Sequence, residues 1–271
     1  GSEMCIRDSF STEPLERNAF DYWLLDNYTY PYNIDFMYRM KDIESDHKYN
    51  LVPADYDKAV ALSKIIKHVW MDAYVELAGM DFLRVYVPKT FHLIGSPAYE
   101  SSGNMVLGTA EGGKKITLYN VNDLNIKKIN IEKLNEYYFE TMHHEFAHIL
   151  HQTKTYPVEF NTLSTGRYDD SSWQSKDIGY VASLGFITPY ASSQTREDFA
   201  ETIANYLTRT DDAMELIKWM AAQGWTTGIE GDVDPGDDVT YYCRYFIPDA
   251  EKPDEKEYFL YSQEKDHTYR P

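Results

Sequence analysis

Hydrophobic residues recur at three- and four-residue spacing along several stretches of the chain, which is the pattern of helices with one buried face. The clearest stretch, residues 131–152, contains no proline and no glycine. A second helix is predicted from about Asp55 to Ala78, ending at Gly79. A third begins near Arg196, where Thr195 is the predicted N-cap because its hydroxyl can accept a hydrogen bond from the first turn.

Alternating and apolar runs bounded by turn residues predict the strands. Lys115–Tyr119 follows Glu-Gly-Gly-Lys at 111–114, a turn sequence that predicts a hairpin with Met105–Ala110. Phe82–Val87 is also interpreted as a strand, because it is followed directly by Pro88. The other predicted elements are strands at Tyr32–Met40, Phe91–Ile94 and Val239–Ile247, and a helix from about Asp211 to Ala222.

This order of elements predicts an α+β fold. A small mixed or antiparallel sheet would pack on the 131–152 helix, beside a mainly helical C-terminal lobe. We predict one domain over residues 11–262, with a sheet-bearing lobe at 11–154 and a loop-and-helix lobe at 155–262. Within the second lobe, the irregular stretch 155–194 is long enough to suggest a functional loop. Residues 1–10 are interpreted as a non-native or disordered leader, and residues 263–271 as a loose tail.

Composition restricts the partners of the chain. The formal net charge is −18 at pH 7, which argues against a nucleic-acid partner because phosphates would be repelled. The two cysteines, Cys5 and Cys243, are too few for a disulfide framework or a zinc ribbon. No apolar run approaches the ~18 residues of a membrane span, so we expect no transmembrane segment and no signal peptide in this sequence.

One motif carries candidate chemistry. The segment 143–148 reads His-His-Glu-Phe-Ala-His and so contains H-E-x-x-H. Positions i and i+4 share one face of a helix, so the imidazoles of His144 and His148 can reach the same metal ion. Glu145 lies beside them, placed to take a proton from a water held by that ion. This is the core of a zinc-dependent hydrolase site.

A plainer interpretation is that both histidines pack in a core and that Glu145 is solvated. It is disfavoured because a half-buried helix seldom carries four histidines, at 143, 144, 148 and 151, without a use for them. His143 points about 100° away from its neighbour around the helix and is interpreted as a packing or surface residue. His151 lies one turn further along the ligand face, where it either lines a subsite or is an ordinary hydrogen-bonded histidine.

A catalytic zinc needs a third protein ligand besides two histidines. The metzincin motif would require glycine at 151 and histidine at 154, but the chain has His151 and Lys154. The other common ligand is a glutamate on a later helix. Glu197 and Glu201 are four residues apart on one helical face, so one can bind metal while the other accepts a hydrogen bond from a ligand imidazole. A solvated acidic first turn is the alternative interpretation.

With these residues identified, the chain resembles the glutamate-type zincins, or gluzincins. The matching features are H-E-F-A-H at 144–148 and E-D-F-A-E at 197–201, with a tyrosine upstream of the second. More specifically, the chain is similar to the catalytic domain of anthrax lethal factor and to a group of Bacteroidetes zinc metallopeptidase lipoproteins encoded beside outer-membrane import systems. The similarity covers roughly residues 13–222, and Pro-Tyr-Asn-Ile at 31–34 also matches the lipoprotein group.

The resemblance implies a zincin-like metallopeptidase fold with Zn2+ as the cofactor. It implies that Glu197 is the third metal ligand and that Glu201 accepts a hydrogen bond from a ligand histidine. Tyr190, seven positions before Glu197, matches the tyrosine that helps to stabilise the oxyanion in lethal-factor-like sites. It also implies a periplasmic or outer-membrane-anchored lipoprotein in the cell envelope, with an outer-membrane import system as a partner.

The predicted function is a zinc metallopeptidase that hydrolyses peptide or protein substrates, with Glu145 as the general base. Two alternatives stay open. The same chemistry could act on a non-peptide amide or ester, linked to a glycan or peptidoglycan, in a pocket formed by 155–194. The protein could instead be a catalytically silent nutrient-binding surface lipoprotein, although a structural zinc usually has four protein ligands. Lys115–Tyr119 is either an edge strand that pairs with extended substrate or an ordinary sheet strand.

Overall fold

The structure is a computed structural model. It describes residues 16–40, 49–99, 105–106, 108–111, 114–223, 242–248 and 256–262. The chain forms two compact units, one ending at Tyr138 and one beginning at Phe139. Both units combine helices with strands, in agreement with the predicted α+β class. The predicted lobes that meet at residue 154 stay a prediction, and the predicted leader and tail lie outside the described residues.

The first unit consists of short helices and short strands. Its described helices are α1 (Ala19–Leu24), α2 (Tyr30–Tyr32), α3 (Tyr56–Ile65), α4 (Asp72–Ala78), α5 (Met80–Tyr86) and α6 (Ile131–Leu134). Its described strands are β1 (Asp35–Met37), β2 (Thr90–Leu93), β3 (Ala98–Tyr99), β4 (Met105–Val106), β5 (Gly108–Glu111) and β6 (Lys115–Leu118). Two π-helical turns, Leu25–Thr29 and Ile66–Met71, link α1 to α2 and α3 to α4, and Val121–Asp123 forms a 3-10 turn.

Four of these strands form a mixed sheet in the order β1-β2-β6-β5. β1, β2 and β6 are parallel, and β5 is antiparallel to β6, which confirms the predicted hairpin. Strand β2 also confirms the short strand predicted at Phe91–Ile94. Because β6 has a partner on each side, the interpretation of Lys115–Tyr119 as a substrate-pairing edge strand is wrong, and the segment is an ordinary sheet strand.

The start of α1 is fixed by reciprocal hydrogen bonds. Asn18 Oδ1 accepts from the Asp21 N–H at 2.9 Å, and Asp21 Oδ2 accepts from the Asn18 N–H at 2.8 Å. Tyr38 and Arg39 also donate to the Asp21 carboxylate, each at 2.8 Å. Burial raises the pKa of Asp21, but these hydrogen bonds outweigh burial and lower the pKa below its usual value. The carboxylate thus joins the helix start to the end of β1.

Two strand predictions in this unit need correction. Phe82–Val87 lies mostly in helix α5, so the predicted strand is wrong. Gly79, with a φ of +88°, lets the chain leave α4 and begin a new helix at once. Leu83 is the buried contact of α5, and one buried position in a short apolar run does not distinguish a strand from a helix. The strand predicted at Tyr32–Met40 is shorter, because Tyr32 still belongs to α2.

The second unit is mainly helical in its described part. Its helices are α7 (Glu140–Thr153), α8 (Phe160–Leu163), α9 (Ile178–Ser183), α10 (Thr195–Thr208) and α11 (Asp211–Gln223). A π-helical segment, Asn135–Phe139, joins α6 to α7, so the helix predicted over 131–152 is confirmed. Strands β7 (Tyr242–Pro248) and β8 (Lys256–Ser262) form an antiparallel pair, of which only the first was expected from the pattern.

The stretch predicted as a long loop contains two further 3-10 turns, Trp173–Ser175 and Tyr190–Ser192. Helices α9 and α11 enclose a hydrophobic cluster that also holds the chain between α9 and Tyr190 in place. Its buried members are Val181, Ala182, Phe186, Ile187, Ala191, Ile217 and Met220. The N-cap of α10 is Gln194 without a side-chain bond, so the assignment of Thr195 is wrong. None of the described helices is long and apolar enough to cross a membrane.

Candidate metal centre

Two helices of the second unit, α7 and α10, pack against each other and carry the predicted site. Small side chains permit close approach of the helix backbones, since Ala147, Ala200 and Ala204 are all buried. His144 on α7 and Glu197 on α10 are also buried, with 8% and 7% of their surfaces exposed. Buried polar side chains need partners, and the packing of these helices brings such partners together.

Three predicted residues converge on one point. His144 Nε2 and His148 Nε2 are 3.1 Å apart. Glu197 Oε2 lies 3.3 Å from His144 Nε2 and 3.0 Å from His148 Nε2. A metal ion with bonds of about 2.0–2.1 Å in tetrahedral geometry separates its ligand atoms by roughly 3.3 Å, close to these distances. Two imidazole nitrogens and one carboxylate oxygen therefore fit a zinc ion and leave a fourth position for another ligand.

The second glutamate of α10, Glu201, contacts the other ring nitrogen of His144, Nδ1. Glu201 Oε1 is 2.7 Å from His144 Nδ1. A carboxylate can only accept a hydrogen bond, so Nδ1 carries a proton, and Nε2 is the nitrogen left to bind a metal ion at the common point. The structure thus separates the two glutamates, with Glu197 beside both Nε2 atoms and Glu201 behind one imidazole.

Thr188 extends this arrangement and was not expected from the sequence. Its hydroxyl donates to Glu201 Oε2 at 2.6 Å and accepts from the Ala191 N–H at 3.0 Å. Both oxygens of Glu201 are therefore hydrogen-bonded, one to His144 and one to Thr188. Since Ala191 belongs to the 3-10 turn that begins at Tyr190, this one hydroxyl joins the turn to the metal centre.

The centre has an excess of negative charge before a cation is added. Burial disfavours the charged form of His144, but the adjacent carboxylates of Glu197 and Glu201 outweigh it and raise the pKa of His144 to about 10. Burial likewise raises the pKa of Glu197, but its hydrogen bonds to His144 and His148 dominate and hold this pKa well below the usual range. Charges arranged in this way favour a divalent cation, which would displace a proton from His144.

Glu145 is partly buried on the same helix. Burial raises the pKa of its carboxyl group, and the nearby imidazoles of His144 and His148 partly oppose that rise. Among the described residues, no hydrogen bond or ion pair involves the Glu145 carboxylate, in contrast to Glu197 and Glu201. Its oxygens can therefore accept hydrogen bonds from another molecule. A partly buried carboxylate with a purely structural role would instead have its hydrogen-bond partners within the protein.

Tyr190 lies beside the same three residues. Its ring stacks on the imidazole of His144, with centroids 5.8 Å apart and planes 20° from parallel. Burial raises the pKa of Tyr190, and the negative charge of the nearby Glu197 carboxylate raises it further. The hydroxyl therefore lies next to one candidate metal ligand while the ring contacts another.

The remaining histidines of the motif helix lie outside this group. His143 is partly buried, and burial lowers its pKa to about 4. The ring of His151 stacks on that of Tyr156, with centroids 4.4 Å apart and planes 7° from parallel. His151 and Tyr156 line an open cavity of about 520 Å³ together with Arg196. The subsite interpretation of His151 stays a prediction.

Helices α7 and α10 bring three donor atoms together beside Glu145, whose carboxylate has no hydrogen-bond partner among the described residues. This arrangement defines a class of protein, one with a single-ion site of the kind that zinc hydrolases use. Comparison with known proteins leads further. The chain belongs to the family described as "Putative zinc-binding metallo-peptidase", whose model matches residues 13–228. The prediction of a zinc metallopeptidase family is thus confirmed, whereas the similarity to lethal factor and to the lipoprotein group stays a prediction.

A solved structure shares this architecture. It is the crystal structure of a "putative zinc-binding metallo-peptidase" from Bacteroides caccae. Its chain shares 48% sequence identity with this chain, and the two structures superpose with a TM-score of 0.65. The match covers 75% of this chain and 77% of that chain. A search of the curated proteins found no match.

Proposed function

We propose that the protein is a zinc metallopeptidase in which His144, His148 and Glu197 hold the ion and Glu145 is the general base. The convergence of the three donor atoms, all within 3.3 Å of one another and beside Glu145, is the observation that supports this most strongly. Three protein ligands leave one position open, as catalytic rather than structural zinc sites do. The description of the family as zinc-binding metallo-peptidases supports the choice of metal and of reaction.

When bound, zinc lowers the pKa of a water molecule towards neutrality and polarises the carbonyl of the substrate. Glu145 would accept a proton from the attacking water and would then return it to the leaving amine. This role needs a carboxylate with free lone pairs within the site. Glu145 meets that requirement, because no described residue donates a hydrogen bond to it.

Tyr190 would stabilise the oxyanion that forms during attack. A phenol is protonated at neutral pH and can donate to a developing negative charge. The stacking of its ring on His144 and the effect of the nearby Glu197 carboxylate on its pKa support this role. A well-placed donor of this kind contributes about 3–4 kcal/mol to the stabilisation of the transition state.

Two further parts of the proposal concern fold and location. A zincin-like fold requires the H-E-x-x-H helix to pack against a helix with the glutamate ligand, and the contact of α7 with α10 supports it. A place in the cell envelope, as a lipoprotein near an outer-membrane import system, is supported by the sequence resemblance. Peptides or proteins are the substrates that the family description supports.

The proposal is tested by comparing wild type with Glu145→Gln in metal content and in cleavage of a peptide library. Glu132→Gln is a matched control, because Glu132 is an exposed glutamate in the first turn of α6. We expect one zinc per chain in all three proteins and cleavage by wild type and by the control. Cleavage by Glu145→Gln would refute the assigned base. Zinc in every protein with no cleavage by any would favour a non-peptide substrate or a binding role.

A further inference from the structure

Tyr190 has a second aromatic neighbour besides His144. The ring of Trp173 lies 4.7 Å from the ring of Tyr190, centroid to centroid, with the two planes inclined by 51°. Trp173 is half-buried and begins the 3-10 turn Trp173–Ser175 in the irregular stretch between α8 and α9. Aromatic contacts at this distance stabilise one ring orientation over others.

The segment just before Trp173 is hydrogen-bonded to two elements of the metal centre. The hydroxyl of Tyr168 donates to Asp198 Oδ2 at 2.8 Å, and Asp198 directly follows Glu197 on α10. The Asp169 N–H donates to the carbonyl of Ser192 at 2.8 Å, and Ser192 ends the turn that begins at Tyr190. The chain just before Trp173 is therefore anchored both to α10, which carries Glu197, and to the 3-10 turn Tyr190–Ser192.

Asp169 also fixes the path of the chain from this anchor to Trp173. Its carboxylate accepts hydrogen bonds from the backbone N–H groups of Ser171 and Ser172, at 3.1 and 3.2 Å, and from both serine hydroxyls. These hydrogen bonds, led by those from Ser172 and Ser171, hold the pKa of Asp169 well below its usual range. Lys176 pairs with the same carboxylate at 3.5 Å, and its N–H donates to the Trp173 carbonyl at 3.1 Å.

We propose that Trp173 is a positioning residue for Tyr190, which holds the phenol ring against His144 so that its hydroxyl stays beside Glu197. This inference rests on the proposed function, in which that hydroxyl stabilises the oxyanion. Trp173 acts through Tyr190 and not through contact with the substrate. A phenol side chain rotates about two torsion angles, and its two aromatic neighbours restrict both.

Kinetics of Trp173→Leu give the first test. We expect kcat to fall about twofold to tenfold, the range that one aromatic contact accounts for, with KM unchanged. Trp173→Phe keeps an aromatic face and should restore most of kcat. Tyr180→Leu is the matched control, because Tyr180 is an exposed aromatic residue on α9 of the same unit, and it should match wild type. A rise in KM with unchanged kcat would overturn the inference, because it would mean that Trp173 contacts the substrate.

A double-mutant cycle separates positioning of Tyr190 from a general effect on the fold. If Trp173 acts through the Tyr190 hydroxyl, Trp173→Leu should have no further effect on kcat once Tyr190→Phe has removed that hydroxyl. Equal fold-changes in both backgrounds would overturn the inference. They would leave the proposed function intact, since that depends on the activity of wild type and on its loss in Glu145→Gln.

Crystal structures of the zinc-loaded proteins give a result that needs no turnover. In Trp173→Leu we expect the Tyr190 ring to leave its stacked position on His144, and in Trp173→Phe we expect it to stay there. An unmoved Tyr190 in the leucine variant would overturn the inference even if no peptide substrate were found. If wild type cleaved no peptide, the proposed function would fail, and these two structures would still decide the role of Trp173.

Discussion

Replacing Thr188 by valine would remove one buried hydroxyl while keeping nearly the same side-chain shape. That hydroxyl donates to Glu201 Oε2 and accepts from the Ala191 N–H. A hydrogen bond to a charged group is worth about 1.5–3 kcal/mol, and an unpaired buried N–H costs about 1–3 kcal/mol. We therefore expect Thr188→Val to reduce the free energy of unfolding of the second unit by the sum of these two effects, about 2.5–6 kcal/mol.

The same substitution should weaken zinc binding, because Glu201 would lose one of the two partners that orient it behind His144. Loss of such supporting contacts typically lowers metal affinity about 10–100-fold. Scanning calorimetry measures the loss of stability, which should lower the midpoint of unfolding by about 5–25 °C. Competition with a chelating dye measures the zinc affinity in the same samples.

Thr153→Val is the matched control for this prediction. The Thr153 hydroxyl donates to the Leu150 carbonyl at 3.1 Å near the end of α7, at an exposed position. An exposed hydroxyl can be replaced by water as a partner, so its loss should change stability by no more than about 0.5 kcal/mol. If Thr188→Val bound zinc as tightly as wild type, the inferred link from Thr188 through Glu201 to His144 would be refuted.

Two further predictions concern metal linkage and pH. Zinc at one hundred times its dissociation constant should raise the free energy of unfolding of wild type by about 2.7 kcal/mol and leave that of His148→Ala unchanged. Calorimetry measures both values, and equal stabilisation of the two proteins would mean that the ion binds elsewhere. Folding lowers the pKa of Asp21, so its carboxylate contributes stability above its unfolded pKa of about 3.9 and loses that contribution as the pH falls through its folded pKa. Asp21→Asn should therefore cost about 1–3 kcal/mol at pH 7, and thermal unfolding should show the deficit shrinking below about pH 4. An equal deficit at pH 7 and pH 2.5 would contradict this assignment.

The residues that converge on the candidate site are largely predictable where helical periodicity applies. His144 and His148 share one helical face by their spacing, and so do Glu197 and Glu201. Both pairs therefore follow from the sequence once the two helices are recognised. What periodicity does not determine is which glutamate faces the Nε2 atoms, since that depends on how α10 packs against α7.

Thr188 and Trp173 could not be found in the same way. Both lie in irregular segments, where spacing does not determine which side chains meet. Their positions depend on single contacts between distant residues, such as the bond from Asp169 to Ser192. The misassigned Phe82–Val87 shows a related limit, because a short apolar run fits a strand or a helix until its tertiary contacts are known.

The metal centre is tested most directly by anomalous diffraction at the zinc edge, from crystals of the wild-type protein grown with one equivalent of zinc. We predict one peak, about 2.0–2.1 Å from His144 Nε2, from His148 Nε2 and from a carboxylate oxygen of Glu197. Glu201 should stay hydrogen-bonded to His144 Nδ1 and make no contact with the ion. A peak bound by Glu201 in place of Glu197, or a peak elsewhere with none at this site, would contradict the assignment.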